Sequence, residues 1–273
     1  MIPAQFEYEA AGSVQEAVEL LGSHEDAKLL AGGHSLIPAM KLRIARPATV
    51  VDIGGLADLS YVREDGDAIA IGALTRHHDV ATSELLRERC GIMAGAAAEI
   101  GDPQVRHRGT IGGSVAHGDP ASDMPGVLLA LDAEFVAVGP EGERRIPAQE
   151  FFTGVFETAL GPQDVLTEIR VKPLDGGWAY LKFARRKQDW ATVGVAAVAM
   201  NGGANVGLVS MGGTPLRAKA VEEALAGGAD PATAAEKADE GTEPSSDVAG
   251  SADYRRHLAR VLTRRAVEQA LAG

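Results

Sequence analysis

Twice in this 273-residue chain paired glycines have a serine close behind: after an apolar run in Leu29-Leu30-Ala31-Gly32-Gly33-His34-Ser35, and after a β-branched pair in Thr110-Ile111-Gly112-Gly113-Ser114. Adjacent glycines let the backbone turn where a Cβ would clash, and they present bare amide N–H groups to a ligand. Two such devices can clasp one extended anion from both sides, and a diphosphate suits that chemistry. The first follows a strand-like Ala27–Ala31 and precedes a helix start that Ser35 is placed to cap, which gathers free amides and the positive helix end at one spot. The second runs on through His117 and Asp119 to Asp123, where another helix begins.

Around these segments strands and helices alternate in the first half, and strands meander in the second, which predicts an α+β protein. Ser13-Val14-Gln15-Glu16 is a capping box, opening a helix whose Val14, Ala17, Val18 and Leu21 share one face. Thr75 is placed to cap a helix carrying His77 and His78. Val165–Val171, Trp178–Phe183 and Thr192–Ala199 alternate in polarity. After a turn at Asn201-Gly202-Gly203, Val206–Met211 completes an antiparallel set with one face buried. A boundary near residue 172 divides the chain into 1–172 and 173–273. Residues 227–250, weakly apolar and acidic, are expected to be partly flexible, with a short helix over Ala232–Ala238. From Ser251 a last amphipathic helix sets Arg255, Arg256, Arg260, Arg264 and Arg265 largely off its apolar face, a solvated basic face or a dock for an acidic partner.

Several chemistries are excluded. A formal charge of −12, from 26 Lys and Arg against 38 Asp and Glu, opposes a nucleic-acid role. Cys90 is the only cysteine, so the chain supplies neither an internal disulfide nor the thiolates of an iron–sulfur cluster. No GxGxxG or GxxxxGK[ST] occurs, which removes the usual support for Rossmann and P-loop binding. Ser114, His117 and Asp119 lie too close together on one loop for a catalytic triad, and no GxSxG elbow is present. His77 and His78 are adjacent, hence about 100° apart on a helix, and do not ligate one metal. His117, Asp119 and Asp123 fit backbone presentation better than metal ligation, so no metal site is expected. Asp123 reads either as a helix N-cap or as an acceptor for a ribose or adenine donor. No run of membrane-spanning length and no signal peptide is visible, which predicts a cytoplasmic protein and leaves attachment at the inner membrane face open.

The two glycine segments, the second with Asp119-Pro120-Ala121-Ser122-Asp123, resemble the paired FAD-binding signatures of the flavoprotein (medium) subunit of molybdenum hydroxylases. That family includes aerobic carbon monoxide dehydrogenase and xanthine dehydrogenase. Lys182-Phe183-Ala184-Arg185-Arg186 with Asp189-Trp190-Ala191 is similar to the family's segment beside the flavin ring. Gly212-Gly213-Thr214-Pro215-Leu216-Arg217-Ala218 and Ser251–Arg265 resemble its C-terminal domain.

The resemblance implies an FAD-binding domain of the vanillyl-alcohol-oxidase type over 1–172, in two lobes meeting near 55–60, then a small domain of a three-stranded antiparallel sheet and helices. It assigns Ala31, Gly32, Gly33, His34, Ser35, Thr110, Ile111, Gly112, Gly113 and Ser114 to the pyrophosphate and ribityl. Asp123 goes to adenosine or ribityl hydroxyls, Leu166 and Lys182 to the flavin ring, and Trp190 to a place where the carbon monoxide branch has a stacking tyrosine. Ser114 stands where xanthine dehydrogenases tend to have asparagine, a weak pointer to that same branch. The implied function is electron transfer by FAD, fed from [2Fe-2S] centres on a small partner subunit and a molybdenum cofactor on a large one, in a dimer of heterotrimers. The alternatives are the medium subunit of a xanthine, aldehyde or N-heterocycle dehydrogenase, and a stand-alone flavin reductase of the same fold.

Overall fold

The structure is a computed structural model that describes residues 1–200 and 202–273; the expected turn residue Asn201 lies outside the described residues. The chain opens with β1 (Glu7–Ala10), α1 (Val14–Ser23), β2 (Ala27–Leu30), α2 (Leu36–Lys41) and β3 (Thr49–Asp52). These three strands pair in parallel in the order β1-β3-β2. The capping box forms: the Ser13 hydroxyl accepts the Glu16 N–H at 3.1 Å, and Glu16 Oε2 accepts the Gly12 N–H at 2.7 Å. With its start fixed, α1 buries Ala17, Val18 and Leu21 against Val51, Ile53 and Val165.

A second unit follows: β4 (Val62–Asp65), β5 (Ala68–Gly72), α3 (His77–Thr82), α4 (Glu84–Arg89), α5 (Gly91–Ala98), α6 (Pro103–Arg106), α7 (Ile111–His117), α8 (Asp123–Ala130), β6 (Glu134–Gly139) and β7 (Gly142–Pro147). It ends with α9 (Ala148–Phe151), β8 (Phe152–Gly154), β9 (Glu157–Thr158) and β10 (Val165–Val171). Its antiparallel sheet runs β4-β5-β10-β6-β7, and its core holds Ile69, Met93, Leu128, Phe135, Phe151 and Ile169. The helix expected after Thr75 breaks at Ser83, whose hydroxyl caps α4. Thr75 caps nothing, because its hydroxyl exchanges hydrogen bonds with the Tyr61 backbone.

The remaining elements are β11 (Trp178–Phe183), β12 (Val193–Met200), β13 (Gly203–Val209), the two-residue β14 (Leu216–Arg217), α10 (Lys219–Ala226), α11 (Pro231–Ala235) and α12 (Ala252–Ala272). Strands β11 to β14 pair in sequence, all antiparallel, so three long strands carry a short fourth. Both faces of β12 are buried. Val193, Val195 and Ala197 meet the helices α10 to α12, while Ala196 and Val198 join the core of the preceding unit. There α8 lies directly on the sheet, and a Cβ on Gly207 would strike the Gly126 carbonyl.

One expectation for this region is corrected, that of Arg255, and the short helix expected in the 227–250 tract is present as α11. The 227–250 tract is packed in part: Ala234 and Ala238 are core residues, and Asp239 and Asp247 bind Arg260 and Arg255 at 2.9 and 2.8 Å. Arg255 is not off the apolar face but buried, giving one nitrogen to the Thr192 carbonyl and another to both Asp247 oxygens. Arg256, Arg260 and Arg264 also meet carboxylates of this chain, so the basic face is largely neutralised from within. Among the described residues no helix is long and apolar enough to cross a membrane.

Candidate cofactor site

The glycine segments start from different lobes and meet. Gly32 lies on the backbone leading into the second segment: a Cβ there would collide with the Arg108 carbonyl and sit 2.9 Å from Gly109 Cα. From the other side, a Cβ on Gly113 would come 3.7 Å from Ala31 Cβ. A cavity of about 250 Å³ opens at this seam, lined by Ala31, Gly32, Gly33, Asp52, Arg76 and Arg108.

The segments differ in what they offer a ligand. Among the described residues, the N–H groups of Gly32, Gly33, His34, Ser35 and Leu36 have no protein acceptor. Gly33 has φ +76°, a conformation that costs a side-chain-bearing residue about 1–2 kcal/mol. Five successive open amides fit an anion and fit the diphosphate of a dinucleotide. His34 Nδ1 lies 3.1 Å from the Gly32 carbonyl. Ser35 does not cap α2, having αR backbone angles and no side-chain cap bond.

The expectation of bare amides at Gly112 and Gly113 is overturned. Both lie in the first turn of α7, where the Ile111 N–H goes to Thr75 O, Gly112 to Ala73 O at 2.8 Å, Gly113 to Thr110 Oγ1 at 3.2 Å and Ser114 to Thr110 O. Gly112 is glycine for packing, since a Cβ there would strike Ala73 Cβ and lie 2.6 Å from its carbonyl. Ala73 is fixed in turn by donating to Thr167 O, at the bulge of β10 that separates Leu166 from Glu168 in register. Thr167 therefore supports the second segment through the backbone, while the side chain of its neighbour Leu166 is buried in the core. Ser114 Oγ bonds Ser122 Oγ at 2.7 Å, tying α7 to the start of α8.

Asp123 and Lys182 form a separate, buried cluster. Residues 180 and 182 share one face of β11, and both turn toward the first turn of α8. Tyr180 donates to Asp123 Oδ1, Lys182 Nζ lies 2.9 Å from Asp123 Oδ2, and Lys182 also donates to the Glu99 carbonyl at 3.2 Å. Burial pushes the Asp123 carboxyl up, opposed by Lys182 and Tyr180, and burial beside Asp123 raises the Tyr180 hydroxyl well above its ordinary value. Trp190 stands in the loop between β11 and β12, 62% exposed. His77 points inward with Nδ1 unpartnered, whereas His78 stacks on His107 with centroids 4.0 Å apart. No group of three or more candidate metal ligands occurs among the described residues.

Sequence reasoning missed Tyr180, Arg76 and Arg108. The first carried a signal, its two-residue spacing from Lys182; the arginines carried none, being isolated charges in polar loops.

A bipartite chain with a cavity of open amides at the seam of its first part, followed by a small antiparallel domain, has the architecture of a flavoprotein subunit. The chain belongs to the molybdenum hydroxylase flavoprotein family: residues 4–173 match the FAD binding domain in molybdopterin dehydrogenase, and residues 178–270 match the CO dehydrogenase flavoprotein C-terminal domain. It is 43% identical over 284 residues to the carbon monoxide dehydrogenase medium chain of Hydrogenophaga pseudoflava, covering 100% of this chain and 99% of that one. The solved structure of carbon monoxide dehydrogenase from that organism, lacking the Mo-pyranopterin moiety of its cofactor, matches with TM-score 0.95 and 45% identity over 99% of this chain and 98% of that one. It is also 38% identical to the 6-hydroxypseudooxynicotine dehydrogenase complex subunit alpha of Paenarthrobacter nicotinovorans, over 99% of this chain and 96% of that one.

Proposed function

We propose that this chain is the FAD-carrying medium subunit of a carbon monoxide dehydrogenase-like molybdenum hydroxylase, passing electrons from iron–sulfur centres of a partner to an acceptor. The observation that carries this reading is the seam itself, where Gly32 packs on Arg108 and Gly109 and five successive N–H groups stay open beside the cavity. Ala31, Gly32, Gly33, His34 and Ser35 hold the diphosphate through the main chain. Thr110, Ile111, Gly112, Gly113 and Ser114 form the rigid floor that fixes them. Asp123, Leu166, Lys182 and Trp190 serve the flavin end. There Asp123 fixes the Lys182 ammonium, which favours negative charge nearby, and the exposed indole of Trp190 offers a stacking face.

FAD held here would supply the conversion between one-electron and two-electron transfer, while the chain's residues contribute its orientation and electrostatic tuning. The electron source lies on a partner. Cys90 is buried, with its thiol pushed up to about 12 by burial, and a cluster needs several thiolates. The partners in this reading are a small [2Fe-2S] subunit and a large molybdenum subunit, two heterotrimers pairing into the complete enzyme.

Identity to the 6-hydroxypseudooxynicotine dehydrogenase subunit favours a second reading, in which the same flavin subunit serves an N-heterocycle dehydrogenase. Co-purification tests both. The expected result is a yellow complex of three subunits whose large chain carries molybdenum, with copper beside it in the carbon monoxide case and without copper in the second. A colourless chain that purifies folded and refuses added FAD defeats both, and a lone chain that reduces its own flavin with a small substrate points to a stand-alone reductase instead.

A further inference from the structure

We propose that Arg76 and Arg108 form a cationic pair that recognises the diphosphate charges of the bound dinucleotide. The proposal rests on the reading that this seam holds the FAD diphosphate. Both arginines are built into it: the Arg76 backbone bridges to Thr110, and Arg108 directly precedes Gly109. Arg76 Nη1 donates to the Arg108 carbonyl at 2.5 Å, the same carbonyl against which Gly32 packs. Both residues line the cavity with Ala31, Gly32 and Gly33.

Among the described residues, the pair sits at the cavity without a counterion. In a chain with 38 acidic residues against 26 basic ones, Arg170, Arg217 and Arg255 each bind one or two carboxylates. Among the described residues, no carboxylate lies within salt-bridge distance of Arg76 or Arg108. Asp52, the acid on the cavity wall, is already committed: one oxygen accepts the Tyr8 hydroxyl at 2.8 Å, the other the Gly54 N–H at 2.7 Å. Burial and the Arg108 charge together push the half-buried Arg76 guanidinium below its ordinary value. Two like charges at one cavity, one of them partly desolvated, are relieved by a ligand carrying two negative charges.

The test uses the full chain stripped of flavin and titrated with FAD by fluorescence quenching at low and high salt. Arg108 is exposed, so R108Q keeps the fold, which a thermal melt checks. FAD affinity is expected to fall about tenfold or more in R108Q, with a shallower salt dependence, and R108K is expected to recover most of it. R76Q is expected to act in the same direction. Affinity within twofold of the parent in R108Q, or a loss that neither responds to salt nor recovers in R108K, overturns the proposal. A G32A variant separates this from the underlying reading: if G32A loses FAD while R108Q binds normally, only the arginine pair fails, and if G32A also binds normally the diphosphate lies elsewhere.

Discussion

The same dipeptide does opposite work in the two glycine segments. At Gly32–Gly33 the chain leaves a strand, adopts a left-handed angle, and passes five amides in succession without giving one to the protein. At Gly112–Gly113 it is already helical, every amide from Ile111 to Ser114 is spent, and the missing side chain admits Ala73. In the function proposed above, the first segment is the binding surface and the second is the packed base that positions it. Adjacent glycines thus report close approach of something to backbone, and only the tertiary structure tells whether that something is ligand or protein.

Substitution should break the symmetry of sequence and reveal the asymmetry of role. Gly112→Val carries the largest effect: its branched side chain meets the Ala73 backbone in a buried site, costing about 3 kcal/mol or more. Denaturant melts of the flavin-free chain should show that loss, and FAD retention should vanish with the fold. Gly32→Ala should instead weaken FAD by about a hundredfold, the worth of one or two charge-assisted hydrogen bonds. Its melt should fall too, since the new Cβ meets the Arg108 carbonyl, but less than that of the Gly112 variant, whose valine adds a larger, branched side chain. If both variants lost stability equally, the division into surface and base would be wrong.

Acid sharpens the comparison further, because the base is held by a buried histidine. The His77 backbone N–H donates to the Gly109 carbonyl, and its ring lies against Gly109, with Cδ2 3.0 Å from where a Cβ would stand. Burial, then Arg106 and His34, push its imidazole down to about 4. The folded chain therefore keeps His77 neutral where the unfolded chain has begun to bind a proton. That stability is fully present above about pH 6.5 and is lost as pH falls toward 4, up to about 3 kcal/mol in total. Melts across this window should lose stability on acidification, with a flatter profile in His77→Leu.

Much of this was legible in the residues themselves. The alternation in Trp178–Phe183 marked β11 and the capping box marked α1, because those signals are local. The strand β12 was marked too, but the burial of both its faces, where one was expected, depends on helices α8 and α10 to α12. The spent amide of Gly112 was not legible, since it depends on Ala73 being held by a bulge in β10. Arg255 looked like part of a solvated stripe, yet the Thr192 carbonyl and Asp247 converge on it from two other elements. Arg76 and Arg108 are separated in sequence and become a pair only where the seam closes. Local periodicity reports an element's own preference; it does not report what another element brings to its ends.

The smallest effect separates two hydroxyl residues beside the glycine pairs, Thr110, which caps α7, and Ser35, which caps nothing. Thr110 Oγ1 accepts the Gly113 N–H and starts α7, so Thr110→Ala should cost about 1 kcal/mol of flavin-free stability. Ser35 makes no cap bond, so Ser35→Ala should change that stability by less than about 0.5 kcal/mol. Their effects on FAD should run the other way. Thr110 acts through the floor, and its loss of affinity should follow its loss of stability. Ser35 adjoins the open amides, so its alanine variant should weaken FAD with no accompanying loss in the melt. Parallel losses of affinity and stability at both positions would mean that the two segments are one structural unit, with no division between surface and base.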